Sequence, residues 1–180
     1  LDYSVEGKAQ EEDFDRTLAT TIETLEYAQN NADVPFGVFK PTGLGSSDIY
    51  EKVSLGNPLT KEEQKSWDNT LERWRRIIEK ANELGVPVMV DAEESWIQPA
   101  VDDLAIQYMR TYNQGKAIVY TTAQLYRHDR LAQLTDALEL ARNEGFIYAV
   151  KIVRGAYMEK ERERASRLGY ASPIQPDKAS

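Results

Sequence analysis

At 180 residues with 41% hydrophobic content, the chain can bury a sizeable core and is most simply one domain. A formal charge of -8 and a pI near 4.8 argue against nucleic-acid binding through bulk charge. The absence of cysteine excludes a disulfide framework or a thiolate metal site and fits a reducing compartment.

Residues 1–34 read as a leading helical segment, with its helix over about Glu11 to Asn31, and a first strand follows near Phe36 to Lys40. The Gly, Ser and Pro-rich stretch 43–60, within "PTGLGSSDIYEKVSLGNPLT", reads as a long loop, either plain surface or a mobile lid. Thr60-Lys-Glu-Glu63 is a capping box opening a helix over Lys61 to Leu84. On it Leu71, Trp74, Ile78 and Ala81 recur at helical spacing opposite Glu72, Arg75, Arg76 and Glu79, which predicts a core stripe with a solvated back. Gly85 marks the stop. The pattern then predicts a strand at Pro87 to Asp91, a helix at Ser95 to Tyr112 and a strand at Ala117 to Thr121. A helix follows at Asp129 to Asn143, with Asp129 as its cap beside His128 and Gly145 beyond its end. The last strand spans Ile147 to Val153, and another helix opens at Met158. The later strands start about thirty residues apart, the length of a βα unit. The fold class is therefore α/β, built of parallel β/α units. No apolar run approaches the ~20 residues of a membrane span. The acidic N-terminal stretch is no signal peptide, and Leu1 in place of an initiator methionine suggests a cut piece.

Polar residues gather at the strand ends. Lys40 ends the first strand, Asp91 the second, Gln124 follows the third, and Lys151 with Arg154 closes the fourth. In parallel β/α folds all strand C-termini emerge at one face, so these groups are expected to converge. A pocket holding Lys40, Lys151 and Arg154 would favour an anion, with Asp91, Glu93 and Glu94 holding the cations or facing an amine. A single histidine and no metal-type spacing argue against a metal site. Neither G-x-G-x-x-G nor a P-loop occurs, since "GLGSSD" lacks the last glycine. A strand-end lysine, Lys40 or Lys151, also leaves open a Schiff-base aldolase.

"FKPTGLG" (39–45), "VDAEESW" (90–96), "YTTAQLYRHDRL" (120–131), "VKIVRGAYMEKER" (150–162) and "GYASPIQPDK" (169–178) resemble, in order, the successive motifs of proline dehydrogenases. The opening "LDYSVEGK" extends the resemblance over nearly the whole chain, and "KIVRGAYMEKER" is closer to the stand-alone bacterial and mitochondrial enzymes than to the bifunctional ones. The resemblance implies a (β/α)₈ TIM-type barrel, of which this chain would hold about four strands as a truncated N-terminal half. It implies FAD at the C-terminal face, oxidation of L-proline to Δ1-pyrroline-5-carboxylate, and electron transfer to a quinone. Lys40 would contact the proline carboxylate, Asp91 would orient the substrate-side cations, and Tyr157 would wall the proline pocket. Gln124 would hydrogen-bond the flavin, Lys151 and Arg154 would lie along its isoalloxazine and ribityl chain, Val153 would join this cofactor set, and Gly155 would let the backbone come close. A cytoplasmic protein with peripheral contact at the inner membrane, mitochondrial in a eukaryote, is implied as well. The chain lacks the family's terminal Y-x-x-R-R-x-x-E motif, whose arginines clamp the proline carboxylate. Alone it is expected to be inactive and to self-associate, and a non-catalytic assembly module remains an alternative. Ala123 stands where an aromatic residue commonly precedes the glutamine, a change in packing.

Overall fold

Four short, largely apolar runs become the strands β1 (Gly37–Phe39), β2 (Val88–Val90), β3 (Val119–Gln124) and β4 (Val150–Val153). The computed structural model describes residues 10–177 and orders the strands β1-β2-β3-β4, each parallel to its neighbour. The helices are α1 (Glu11–Gln29), α2 (Ser47–Ser54), α3 (Lys61–Leu84), α4 (Gln98–Tyr112), α5 (Arg130–Glu144) and α6 (Met158–Leu168). The α/β class read from the alternating pattern is the one observed. The opening "LDYSVEGK" motif and the start of the leading segment lie outside the described residues.

Register gives the sheet two unlike faces. Phe39 stands opposite Val90, and Val88 opposite Val119, so the alternation of side chains puts these four on one face, where all are buried. That face packs on α1, α3 and α4 around Leu25, Trp74, Ile77, Ile78, Ile97 and Met109. Trp74 meets Phe39 edge-on with ring centroids 4.9 Å apart, and its indole N–H donates to the Tyr50 hydroxyl at 2.6 Å. Val38, Met89 and Tyr120 share the other face and are only partly covered.

Several ends are set as the sequence predicts. The Thr60 side chain accepts from the Glu63 backbone N–H and Glu63 reciprocates, while Gly85 and Gly145 close α3 and α5 in the left-handed region at φ 69° and 77°. Others move. The stretch 43–60 is not simply loop: Ser47–Ser54 forms α2, with Ile49 and Tyr50 buried, its signal hidden by flanking glycines. β3 runs three residues further than expected, so Gln124 is its last residue rather than its follower. Buried Asn113 explains part of this shift. Its Oδ1 accepts from the N–H groups of Ile118 and Val119 at 2.8 and 2.9 Å, and its Nδ2 donates to the carbonyls of Val119 and Ile147 at 2.8 and 2.9 Å. The backbone around 118 and 147 is satisfied by a side chain, and the β3–β4 ladder begins later. Asp129 stands at the N-cap of α5 but makes no capping hydrogen bond, because Arg127 and Arg130 take its carboxylate.

Asn113→Ala is expected to lower the free energy of unfolding by about 3 kcal/mol or more, since it strips four hydrogen bonds and strands buried backbone groups. Urea unfolding monitored by circular dichroism checks this.

Candidate active site at the strand C-termini

Lys40 follows Phe39 and Asp91 follows Val90, so side-chain alternation turns both to the less covered face. Thr122 pairs with Lys151 and Gln124 with Val153, and this parity places Lys151, Val153 and Gln124 there too. The Asp91 carboxylate ties the group together. Its Oδ2 accepts from Lys40 Nζ at 3.1 Å and its Oδ1 from Lys151 Nζ, a contact that crosses β3. All three side chains are largely shielded, with 16% of Asp91, 18% of Lys40 and 28% of Lys151 exposed. Two cations and one anion leave the cluster one positive charge in surplus. An ammonium group paired with a carboxylate has no lone pair to offer a carbonyl carbon, which works against the Schiff-base reading of either lysine.

Glu93 and Glu94 do not join the lysines by hydrogen bonds. Glu93 is buried and receives both the backbone N–H of Thr42 at 2.9 Å and its hydroxyl at 2.5 Å. It thereby pins the 3-10 turn Pro41–Gly43 that follows Lys40. Burial pushes the Glu93 carboxyl up to about 7, more than the Thr42 hydrogen bonds and the nearby Lys40 pull it down. Glu94 instead pairs with Lys160 at 3.0 Å. The neighbouring Ser95 gives its N–H and hydroxyl to buried Glu161 of α6 at 2.5 and 2.7 Å. Arg164 of α6 stacks 4.2 Å from the Trp96 ring and pairs with Glu51 of α2. Loop 91–97 is thus held from below by Thr42 and from above by α6. The sequence reading placed Glu93 with the cations rather than on Thr42 and missed Thr42 and Glu161, because hydrogen bonds between residues more than fifty apart leave no local pattern.

Gln124 is buried, with its amide N–H on the Glu93 carbonyl at 2.5 Å. Beyond β3 and β4 opens a cavity of about 660 Å³ walled by Leu125, Tyr126, Met158 and Pro176, with Arg154 and Arg162 on its lining. The Tyr126 hydroxyl is buried without a hydrogen-bond partner among the described residues. Burial pushes its phenol up to about 12, so at neutral pH it is an O–H donor lacking an acceptor. Arg154 and Gly155 are exposed, and a Cβ added at Gly155 would meet no atom within 4 Å, so that stretch of backbone is open to approach. Tyr157 caps α6 with φ 53° and ψ 1°, a left-handed conformation unusual for a bulky residue. Its ring lies 5.4 Å from Lys160 Nζ.

Four parallel strands alternating with helices make this a β/α-barrel type of domain, a fold whose strand C-termini are the usual place for a site. The family model described as Proline dehydrogenase matches residues 1–180, and the chain belongs to that family. It is 39% identical over 162 residues to the carbapenem antibiotics biosynthesis protein CarD of Pectobacterium carotovorum subsp. carotovorum, covering 90% of this chain and 43% of that protein. It is 41% identical over 118 residues to mitochondrial proline dehydrogenase 1 of Homo sapiens, covering 66% of this chain and 20% of that one. The chain thus spans less than half the length of these relatives. Proline utilization A from Bdellovibrio bacteriovorus, solved after inactivation by N-propargylglycine, superposes with a TM-score of 0.77 at 21% identity, over 96% of this chain and 19% of that one. The shared fold is that of its barrel.

Glu93 generates a pH signature. Its carboxyl titrates near 7 in the folded protein against 4.5 in the unfolded chain, so the folded state holds the extra proton between these values. Stability should therefore fall as pH rises from about 4.5 to 7 and then level off, by an amount on the order of 3 kcal/mol. Glu93→Gln is expected to flatten this slope, as measured by urea midpoints across the range.

Proposed function

We propose that these strand ends form part of an FAD-dependent proline dehydrogenase site that oxidises L-proline to Δ1-pyrroline-5-carboxylate. The observation that carries this reading is the Lys40–Asp91–Lys151 cluster. Its surplus positive charge suits a carboxylate substrate, and it lies at the strand ends near an arginine-lined cavity large enough for a flat cofactor. The cavity fits FAD on chemical grounds: apolar walls for a ring system, two guanidinium groups that outnumber the one carboxylate of Asp177 for an anionic chain, and a Tyr126 hydroxyl that has no acceptor among the described residues.

FAD, when bound, supplies the acceptor for the hydride that leaves the proline ring carbon next to nitrogen. Lys40 fixes the proline carboxylate, and Asp91 holds both lysines at the distances this requires. Lys151 would supply a fixed positive charge to the cofactor site, which would favour negative charge on the reduced group. Gln124 would donate to the ring edge, Val153 and Arg154 would help to hold the cofactor, Gly155 would let the backbone approach, and Tyr157 would wall the substrate pocket. A quinone would be the terminal electron acceptor. That acceptor implies peripheral membrane contact at an inner membrane, and no helix among the described residues is long and apolar enough to cross one.

Lys40→Ala in the complete polypeptide is expected to lower kcat/KM for proline by about ten- to a hundredfold through loss of a charge-assisted contact, mainly in KM. Steady-state kinetics with an artificial acceptor measure it, and unaltered proline kinetics would make the lysine structural. Lys151→Ala should reduce flavin content or slow flavin reduction while leaving the thermal midpoint nearly unchanged. Absorbance of the purified protein and stopped-flow reduction by proline decide this, and normal values in both would remove Lys151 from the cofactor set.

A further inference from the structure

The loop from β3 to α5 carries an arginine that the reading above leaves without a task. Arg127 is buried, 6% exposed, at an isolated antiparallel bridge to Ile174. Its Nε and Nη2 donate to the two oxygens of Asp129 at 3.1 and 2.7 Å, and its Nη1 donates to Gln124 Oε1 at 3.3 Å. The other end of the same amide, Gln124 Nε2, donates to the Glu93 carbonyl at 2.5 Å. The polarity of this arrangement is forced, because a guanidinium has only donors and a peptide carbonyl only accepts. The last torsion of a glutamine is otherwise broad and roughly two-fold, so a single contact would leave the amide free to swing. Contacts at both ends fix it, and Nε2 keeps a second hydrogen to give.

Asp129 makes the hold rigid. Burial alone would raise its carboxyl, but hydrogen bonds from Arg130 and Arg127 outweigh that and bring it down to about 2. Arg130 donates in turn to Asp102, which also receives the Thr121 hydroxyl at 3.3 Å. This ladder of alternating charges begins and ends on β3, at Gln124 on one face and Thr121 on the other.

We propose that Arg127 is a positioning residue that locks the Gln124 amide so that it presents an N–H, and never its carbonyl, to the cofactor. The inference rests on the FAD reading of the site. The cofactor edge seated there must then carry an acceptor, such as a ring nitrogen or carbonyl oxygen.

The test is a double-mutant cycle on FAD affinity in the complete polypeptide, with flavin stripped and FAD titrated back by fluorescence quenching. Arg127→Met is expected to raise the Kd for FAD about tenfold, Gln124→Ala to raise it at least as much, and the double variant to be no weaker than Gln124→Ala alone. Arg127→Lys keeps the charge but not the fork, and should raise the Kd at least about threefold. The KM for proline should stay unchanged in both arginine variants, since Arg127 touches no substrate group. An arginine variant with wild-type FAD affinity, or effects of Arg127→Met and Gln124→Ala that multiply in full, would overturn the proposal. If the methionine variant does not fold, the cycle is read with the lysine variant under the same criteria. A wild-type protein that takes up no FAD would instead sink the functional reading, and the inference with it.

Discussion

One carboxylate shared by two ammonium groups organises this site. Asp91 stands at the end of β2 and draws in Lys40 from adjacent β1 and Lys151 from β4, two strands away. The longer reach is possible because Thr122, the β3 residue in register with Lys151, is small and turns its hydroxyl back to the Val90 carbonyl at 2.7 Å. The lysine stem passes over it. Without Asp91, two positive charges would face each other in a partly desolvated space, an arrangement that favours neutralising one of them or moving it to water. With it, both are held, and a single surplus charge remains to attract an anion. Geometry and electrostatics are set by the same side chain.

A second tier of contacts keeps that carboxylate in place. Loop 91–97 leaves β2 without regular structure, yet both sides of it are fastened by buried acids that each receive an N–H and a hydroxyl. Glu93 takes those of Thr42, and Glu161 takes those of Ser95. Such paired charge-assisted hydrogen bonds in a shielded setting are worth more than the exposed Lys160–Glu94 pair nearby, which water and salt screen. Glu93 also offers its carbonyl to Gln124, which ties the loop that carries Asp91 to the strand end that carries the amide.

What could be read from the sequence follows from this division. Strand ends alternate with helices at regular intervals, and a polar residue closing each of four strands predicts that Lys40, Asp91, Gln124, Lys151 and Arg154 converge. The ion pairs join Lys40, Asp91 and Lys151, while Gln124 binds the Glu93 carbonyl and Arg154 lines the cavity beyond. The stripe on α3 was legible because Trp74, Ile78 and Ala81 repeat locally, and so was the reciprocal cap at Thr60 and Glu63. The partners were not. Arg73 interrupts that stripe as a buried cation, and its fastening to Glu11, Asp15 and the Leu44 carbonyl depends on where α1 and the loop after β1 happen to lie. Asp129 reads as a cap from its position, yet two arginines win its carboxylate because ionic hydrogen bonds outcompete a backbone N–H. Pairings of this kind exist only after folding has brought distant segments together.

The two faces of the sheet divide stability from chemistry. Phe39, Val88, Val90 and Val119 are spent on contact with α1, α3 and α4, and that side holds the largest fully buried side chains. The opposite face buries less: Val38 is 38% exposed, and Met89 and Tyr120 are partly covered. Charges at the ends of that second face are tolerable because the core does not depend on them, and because the Asp91 carboxylate offsets one of the two ammonium charges. A sheet packed on one side can therefore carry a cluster that would unsettle it if placed on the other. The parity of each strand then becomes a functional constraint: a one-residue slip in β4 would turn Lys151 away from Asp91 and bring Ile152 in its place, separating the two lysines without removing either.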